Sequence, residues 1–347
     1  MSQVLFFDST LRDGSHAVGH QLSVANIKDY CSQVDAVGLH TIIVGHGNGL
    51  GASSLQVGLS AVSDAQMLKT ARKELKRTKL GVFLIPGFGT IKDDIQPAID
   101  MGVDLFCVAI HCTEADVTKQ HIEFLRKKNK EVYGVLMMYH MASKEKLLGE
   151  VLKMQSYGAK GVIIMDSAGA STPEMVSETI SYLTQNIEIK LGFHAHNNLG
   201  LAISNSLIAI QNGALIIDGT LRGFGAGAGN CQLEVLIGLL LKMGISTELD
   251  LYRLMDVSEN IVSKIMKKPQ EISSVSLISG IAGVFSGFAS HVKKAAERFK
   301  VDPRDIFMEL GKRKMVAGQE DFIVDAAMYL ASRKGSEKES YDIESLL

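Results

Sequence analysis

The chain has no tryptophan, five prolines and four cysteines in 347 residues, and it carries no long apolar run and no block of basic residues. Each scarcity excludes something. Cys31, Cys107, Cys112 and Cys231 show no paired CxxC spacing, so reduced thiols in a cytoplasmic protein are expected. The opening MSQVLFFDSTLRDG lacks a basic stretch followed by an apolar one, which argues against a secretory leader. The longest apolar stretches, such as VFLIPGFG, fall far short of the roughly 18 residues that cross a bilayer, so no membrane segment is expected. With a formal net charge of −2, neither nucleic acid nor an anionic membrane is suggested as a partner. What is present is globular: 46% hydrophobic and 21% charged residues, enough for a large core.

Along the chain, β-branched runs alternate with longer amphipathic ones. The strand candidates are residues 4–11, 40–46, 79–86, 104–112, 132–140, 161–169, 189–196 and 215–223. Between them lie helical patterns such as SKEKLLGEVLKMQSYGAK, with apolar residues at i, i+3, i+4 and i+7 and a serine in the capping position. Strands apolar on both faces and joined by helices imply a parallel sheet. Eight such units point to an α/β fold, a closed (β/α)8 TIM barrel spanning 1–247. A doubly wound open sheet is the alternative, although it usually has fewer strands. From 248 to 335 the periodicity is helical throughout, giving a C-terminal all-helical domain that either caps the barrel or docks a partner. Residues 336–347 read as a tail.

Polar residues gather where the strands end: Asp8 to Asp13 and His16, His46, His111, Tyr139 and His140, Asp166 and Ser167, His194 and His196, Asp218 and Arg222. Six of the ten histidines therefore fall on one rim, the carboxyl-terminal one where barrel active sites form. In FHAHNN, His194 and His196 stand two apart on a strand, hence on one face with backbones about 7 Å apart. They either converge on one ion or form ordinary hydrogen bonds near a strand end. With Asp13 they compose a two-histidine, one-carboxylate set suited to Mn, Fe, Co or Zn, with positions open for substrate. Arg12 sets a cationic fork beside any oxyanion held there, and His16 is placed to move a proton near neutral pH. Asn230, in GFGAGAGN, is either a fourth ligand or a hydrogen-bond donor. That segment lacks the GK[ST] ending of a phosphate loop, so close backbone approach is the preferred reason for its glycines over nucleotide binding.

TLRDG, FHAHNNLGLA and GAGAGN together resemble the metal-dependent lyases of the aldolase and Claisen-synthase superfamily, the HMG-CoA lyase-like barrels. VGHGNGLGASSLQVG, VAIHCTEADV, DSAGA and ELGKRKMVAGQEDFIVDAA are similar to one branch, the 4-hydroxy-2-oxovalerate aldolases, and the likeness runs over nearly the whole chain. The resemblance implies cleavage of a 4-hydroxy-2-oxo acid to pyruvate and an aldehyde, usually acetaldehyde, with Mn2+ (or Mg2+ or Co2+). By matching motif, Asp13, His194 and His196 hold the metal, Arg12 stabilises the pyruvate enolate, His16 takes the proton of the 4-hydroxyl, and Ser167 contacts substrate. It also implies that the C-terminal region docks an acylating acetaldehyde dehydrogenase, which receives the aldehyde by channelling. The chain departs from the branch in two places. Ile43, Val44, Gly45, His46, Gly47 and Asn48 stand where E-V-x-H-G-D-G is usual, and Ile281 and Phe285 stand where G-Y-A-G-V-Y carries tyrosines. Phe285 enlarges the apolar contact with the aldehyde substituent, which leaves substrate choice more open than reaction class. The rivals are an acyl-CoA-using Claisen-type synthase and a scaffold that only binds the dehydrogenase.

Overall fold

The computed structural model describes residues 3–316 and 318–333. Eight parallel strands close into a barrel in sequence order: β1 Leu5–Asp8, β2 Thr41–Ile43, β3 Lys79–Leu84, β4 Leu105–His111, β5 Glu131–Met137, β6 Gly161–Asp166, β7 Lys190–Ala195 and β8 Ile216–Gly219. β1 pairs with both β2 and β8, which excludes the open-sheet alternative. The closure follows from strands with no wet face. Phe7, Phe83, Leu105, Val135, Ile163 and Ile216 pack with one another inside. Phe6, Ile42, Val82, Phe106, Leu136, Ile164 and Ile217 face the surrounding helices.

Those helices are α1 Val24–Val34, α2 Asp64–Glu74, α3 Gln96–Asp100, α4 Lys119–Lys127, α5 Lys144–Tyr157, α6 Pro173–Thr184, α7 Ala202–Gln211 and α8 Leu233–Lys242. α5 shows how local sequence sets them. Ser143 accepts from the Lys146 N–H at the start, Leu147, Glu150, Val151 and Met154 turn inward, and Gly158 ends the helix in the left-handed conformation. All four cysteines are free and buried. Among the described residues, no helix is long and apolar enough to cross a membrane.

The strands stop short of the spans expected from sequence. β2 ends at Ile43 rather than at His46, and β8 at Gly219 rather than at Gly223. The β-forming character continues into the rim, but there the backbone leaves the ladder; Met138, just past β5, is left-handed with φ 56°.

α9, Leu251–Val257, also differs from expectation. Leu254, Val257 and Val262 pack in the barrel's own cluster, and the Asp250 N–H donates to Val37 O at 2.9 Å. By packing, the separate helical unit starts not at 248 but with α10 Ser274–Ile281, followed by α11 Ala289–Phe299, α12 Pro303–Lys312 and α13 Asp321–Ser332. Amphipathic periodicity reports that a face is covered, not by what. This unit has its own core of Val292, Phe307, Leu310, Ile323 and Ala327. It meets the barrel rim through Ser286, whose N–H donates to Ser167 O at 3.2 Å, and through Gln56, which donates to Glu320 at 3.0 Å and accepts from His291 at 3.0 Å. The tail expected over 336–347 lies outside the described residues.

Candidate metal centre and active site

β1 delivers the turn that carries Arg12 and Asp13, and β7 delivers His194 and His196; barrel closure brings the two together although about 180 residues separate them. Ligand-capable atoms of Asp13, His194 and His196 all lie within 4.8 Å of one another, and all three side chains are buried. The imidazole rings are 5.1 Å apart at 60°. His194 Nδ1 donates to Asp218 Oδ2 at 2.8 Å, so its Nε2 holds the lone pair. That Nε2, His196 Nδ1 and Asn230 Oδ1 are buried without a hydrogen-bond partner. Buried polar atoms without partners are costly, and their presence on residues of this cluster fits a cation.

Asn230 donates through Nδ2 to Asp13 Oδ2 at 2.7 Å, beside the Ala226 N–H at 3.2 Å, while its Oδ1 has no hydrogen-bond partner. The glycines serve close approach, as expected: a Cβ on Gly225 would lie 2.1 Å from Asn230 Nδ2 and 2.5 Å from Asp13 Oδ2.

Arg12 is 3% exposed, with Nη1 on Asp13 Oδ1 at 2.8 Å and its guanidinium 4.5 Å above the Phe83 ring. Its Nε is buried and unpartnered. Burial alone would raise the Asp13 carboxyl, but Arg12 and the histidines beside it hold it well below the usual carboxylate range. Burial lowers His196 and His16 to about 4, only partly offset by Asp13. Both imidazoles are therefore neutral at neutral pH, the form that ligates a metal or accepts a proton.

His16 is half-buried at the cavity wall and lies against Gly47, where only a glycine leaves room for its ring. Two further imidazoles pack behind it. His20 is 4.9 Å from His16 and stacks on His46 at 3.7 Å. His46 accepts from the Asn48 N–H at 3.0 Å and donates through Nε2 to Gly58 O at 3.0 Å, which anchors the loop carrying Gly47.

The cavity over the centre measures about 360 Å3 and is lined by Arg12, Asp13, His16 and His196 together with the apolar Phe83, Ile85, Met137, Met165 and Phe285. A second cavity of about 450 Å3 is lined in part by the helical unit; the two share His16, Asn48, Gln56, Phe285 and Glu320.

Some rim residues serve other ends. Ser167 is fully buried, and its hydroxyl accepts from the Met138 N–H at 3.2 Å; it braces the left-handed turn and does not line the cavity. His140 Nε2 donates to Gly283 O at 3.1 Å, facing the helical unit, whereas His111 does line the cavity. Ile281 lies in α10 and is not on the cavity wall. His20 carries no signal in the sequence pattern, and Ser9, Gly47 and Asp218, although they fall on the rim, carry none that assigns them a role. Asp218 is paired in register with His194 across β7 and β8, a relation visible only once the strands are aligned.

The HMGL-like family model matches residues 3–261, and that of the DmpG-like communication domain matches 270–332. A 4-hydroxy-2-oxovalerate aldolase of Spirochaeta aurantia is 52% identical over 330 residues, covering 95% of this chain and 97% of the relative. A second, of Pectobacterium atrosepticum, is 51% identical over 331 residues, covering 95% and 96%. Among solved structures, the carboxyl transferase domain of Rhizobium etli pyruvate carboxylase has a TM-score of 0.80 at 15% identity, covering 96% of this chain and 61% of that one. The N-terminal domain of a putative aldolase from Bacteroides vulgatus has a TM-score of 0.70 at 23% identity, covering 82% and 94%. At those identities the two structures speak to the fold alone.

Proposed function

The chain belongs to the HMGL-like family and is a carbon–carbon lyase of the aldolase kind, and on that premise we propose that it cleaves 4-hydroxy-2-oxovalerate to pyruvate and acetaldehyde at the Asp13–His194–His196 centre. The observation that carries this reading is the convergence of buried ligand-capable atoms of Asp13, His194 and His196 within 4.8 Å of one another, with His194 Nε2 left without a hydrogen-bond partner. A divalent ion held there, Mn2+ in this reading with Mg2+ or Co2+ as substitutes, supplies a Lewis acid for the 2-oxo carbonyl.

Breaking the C3–C4 bond leaves an electron pair on C3 that delocalises into the neighbouring carbonyl. Arg12, fixed by Asp13 and by the Phe83 face, presents positive charge to the oxygen where that electron density arrives. His16, neutral because burial lowers it, accepts the proton of the C4 hydroxyl as that oxygen becomes the aldehyde carbonyl. A proton delivered to C3 completes pyruvate. The apolar side chains on the cavity wall, Met137, Met165 and Phe285 among them, receive the C4 substituent. Ser167, whose hydroxyl accepts from the Met138 N–H, keeps its proton to offer to substrate in this reading.

The region 270–332 and the second cavity, which His16 also lines, favour a protein partner that takes up the aldehyde, an acylating acetaldehyde dehydrogenase. A cytoplasmic location accords with four free buried thiols. The test is pyruvate release from 4-hydroxy-2-oxo acids of increasing chain length, with Mn2+ and with EDTA. Release from the five-carbon acid that needs the metal supports the reading, and metal-independent release or turnover of acetyl-CoA defeats it.

A further inference from the structure

β8 carries, one residue before its end, Asp218, a carboxylate only 2% exposed whose two oxygens serve two parts of the site. Oδ2 accepts from His194 Nδ1 at 2.8 Å. Because an ionised carboxylate only accepts, this bond keeps the proton on Nδ1 and turns the Nε2 lone pair toward Asp13 and His196. Oδ1 accepts from the Ser9 hydroxyl at 2.7 Å, and the Ser9 oxygen in turn accepts from Arg12 Nη2 at 3.4 Å. Arg12 Nη2 also lies 3.8 Å from Asp218 Oδ2, while Nη1 is bound to Asp13 Oδ1. Two carboxylates thus hold the guanidinium fork by its two terminal nitrogens. The strand order explains why one side chain reaches both. In β8, Asp218 stands in register with His194 of β7 on one side and with Phe7 of β1, two residues before Ser9, on the other.

We propose that Asp218 is a positioning residue with a double output: it fixes the His194 nitrogen that holds the metal, and it fixes Arg12 where the enolate charge develops. The inference rests on the aldolase reading above. Losing this carboxylate weakens metal binding and slows the chemistry together, although Asp218 touches neither metal nor substrate.

Asp218→Asn keeps the size and a hydrogen-bonding side chain but removes the charge; Ser9→Ala removes only the branch that leads to Arg12. Both are made in the full chain, stripped of metal and titrated with Mn2+ by following the signal of the free ion, then assayed for pyruvate release from 4-hydroxy-2-oxovalerate at saturating Mn2+. For Asp218→Asn the dissociation constant for Mn2+ is expected to rise about 10- to 100-fold, and kcat at saturating Mn2+ to fall about 10- to 100-fold with a smaller change in KM. Ser9→Ala is expected to lower kcat while binding Mn2+ as the parent does, a split that general loosening of the barrel does not produce. Asp218→Asn with parental Mn2+ affinity overturns the proposal, and so does weak Mn2+ binding with full kcat at saturation. If Asp218→Asn fails to fold, Ser9→Ala decides: an unchanged kcat refutes the Arg12 branch. A parent chain that takes up no Mn2+ defeats the aldolase reading itself, which distinguishes the two failures.

Discussion

Gly47→Ala acts chiefly on the position of one side chain, although the Gly47 carbonyl also accepts from Arg12 Nη1 at 3.4 Å. Gly47 is not in the left-handed region, so an alanine there carries no backbone strain. Its Cβ, however, would lie 2.3 Å from Nε2, 2.4 Å from Cδ2 and 2.5 Å from Cε1 of His16. Carbon atoms in contact settle at about 3.5–4.0 Å, so the imidazole must retreat by about 1 Å or more. His16 borders two cavities and has room to do so, which keeps the stability cost at or below the about 1–3 kcal/mol typical of overpacking. A proton acceptor displaced by about 1 Å costs on the order of 100-fold in rate. Complete removal in His16→Ala costs about 10²- to 10⁴-fold. The assay is pyruvate release at saturating Mn2+, paired with a Mn2+ titration, since the side chain that the new Cβ meets is His16 and not one of the three ligands. The expected result is a kcat near that of His16→Ala with unchanged Mn2+ affinity. A Gly47→Ala enzyme at full rate would show that the placement of His16 is immaterial, and its role as base would fall.

Acid sensitivity follows from the same buried imidazoles. His16, His46 and His196 are each lowered to about 4, mainly by burial, whereas in the unfolded chain they titrate near 6.5. Between those values the unfolded state binds more protons, so stability rises with pH and is lost as pH falls from about 6.5 toward 4. Asp8, raised to about 6 chiefly by burial, opposes this by one proton over the lower part of that range. The urea midpoint of the metal-free protein should be lower at pH 5 than at pH 7; equal midpoints would contradict the assigned neutral state. Removing metal with EDTA should lower the melting temperature, since a ligand at 100 times its Kd stabilises by about 2.7 kcal/mol, and the Mn2+ effect should vanish in Asp13→Ala. Ser167→Ala should cost about 1–3 kcal/mol in denaturant unfolding by leaving the Met138 N–H without its acceptor, and a neutral result would mean that the turn is braced by other means.

The barrel was legible because its cause is local. Eight strand candidates apolar on both faces and separated by amphipathic runs allow few other architectures, and even the capping Ser143 was readable. Strand ends were less so, because the residues that continue the β pattern at the rim, such as Val44 to His46 and Ser167 to Gly169, leave the ladder to build loops. Ser167 shows the limit most clearly. A serine at the end of a barrel strand looks the same in sequence whether its hydroxyl meets a substrate or a backbone N–H one strand away. α9 shows it again: its apolar face covers the barrel, not the helical unit that follows.

Sequence alone determined the fold class, the reaction family and the side chains with the chemistry to hold a cation, because spacing within a strand and residue type are properties of short segments. Tertiary structure alone decided how they work together. Asp13 reaches the histidines only because β1 closes on β8 beside β7, and the same seam sets Asp218 between His194 and Arg12. Register between strands distant in the chain is fixed by the packing of the whole barrel, and no local stretch encodes it.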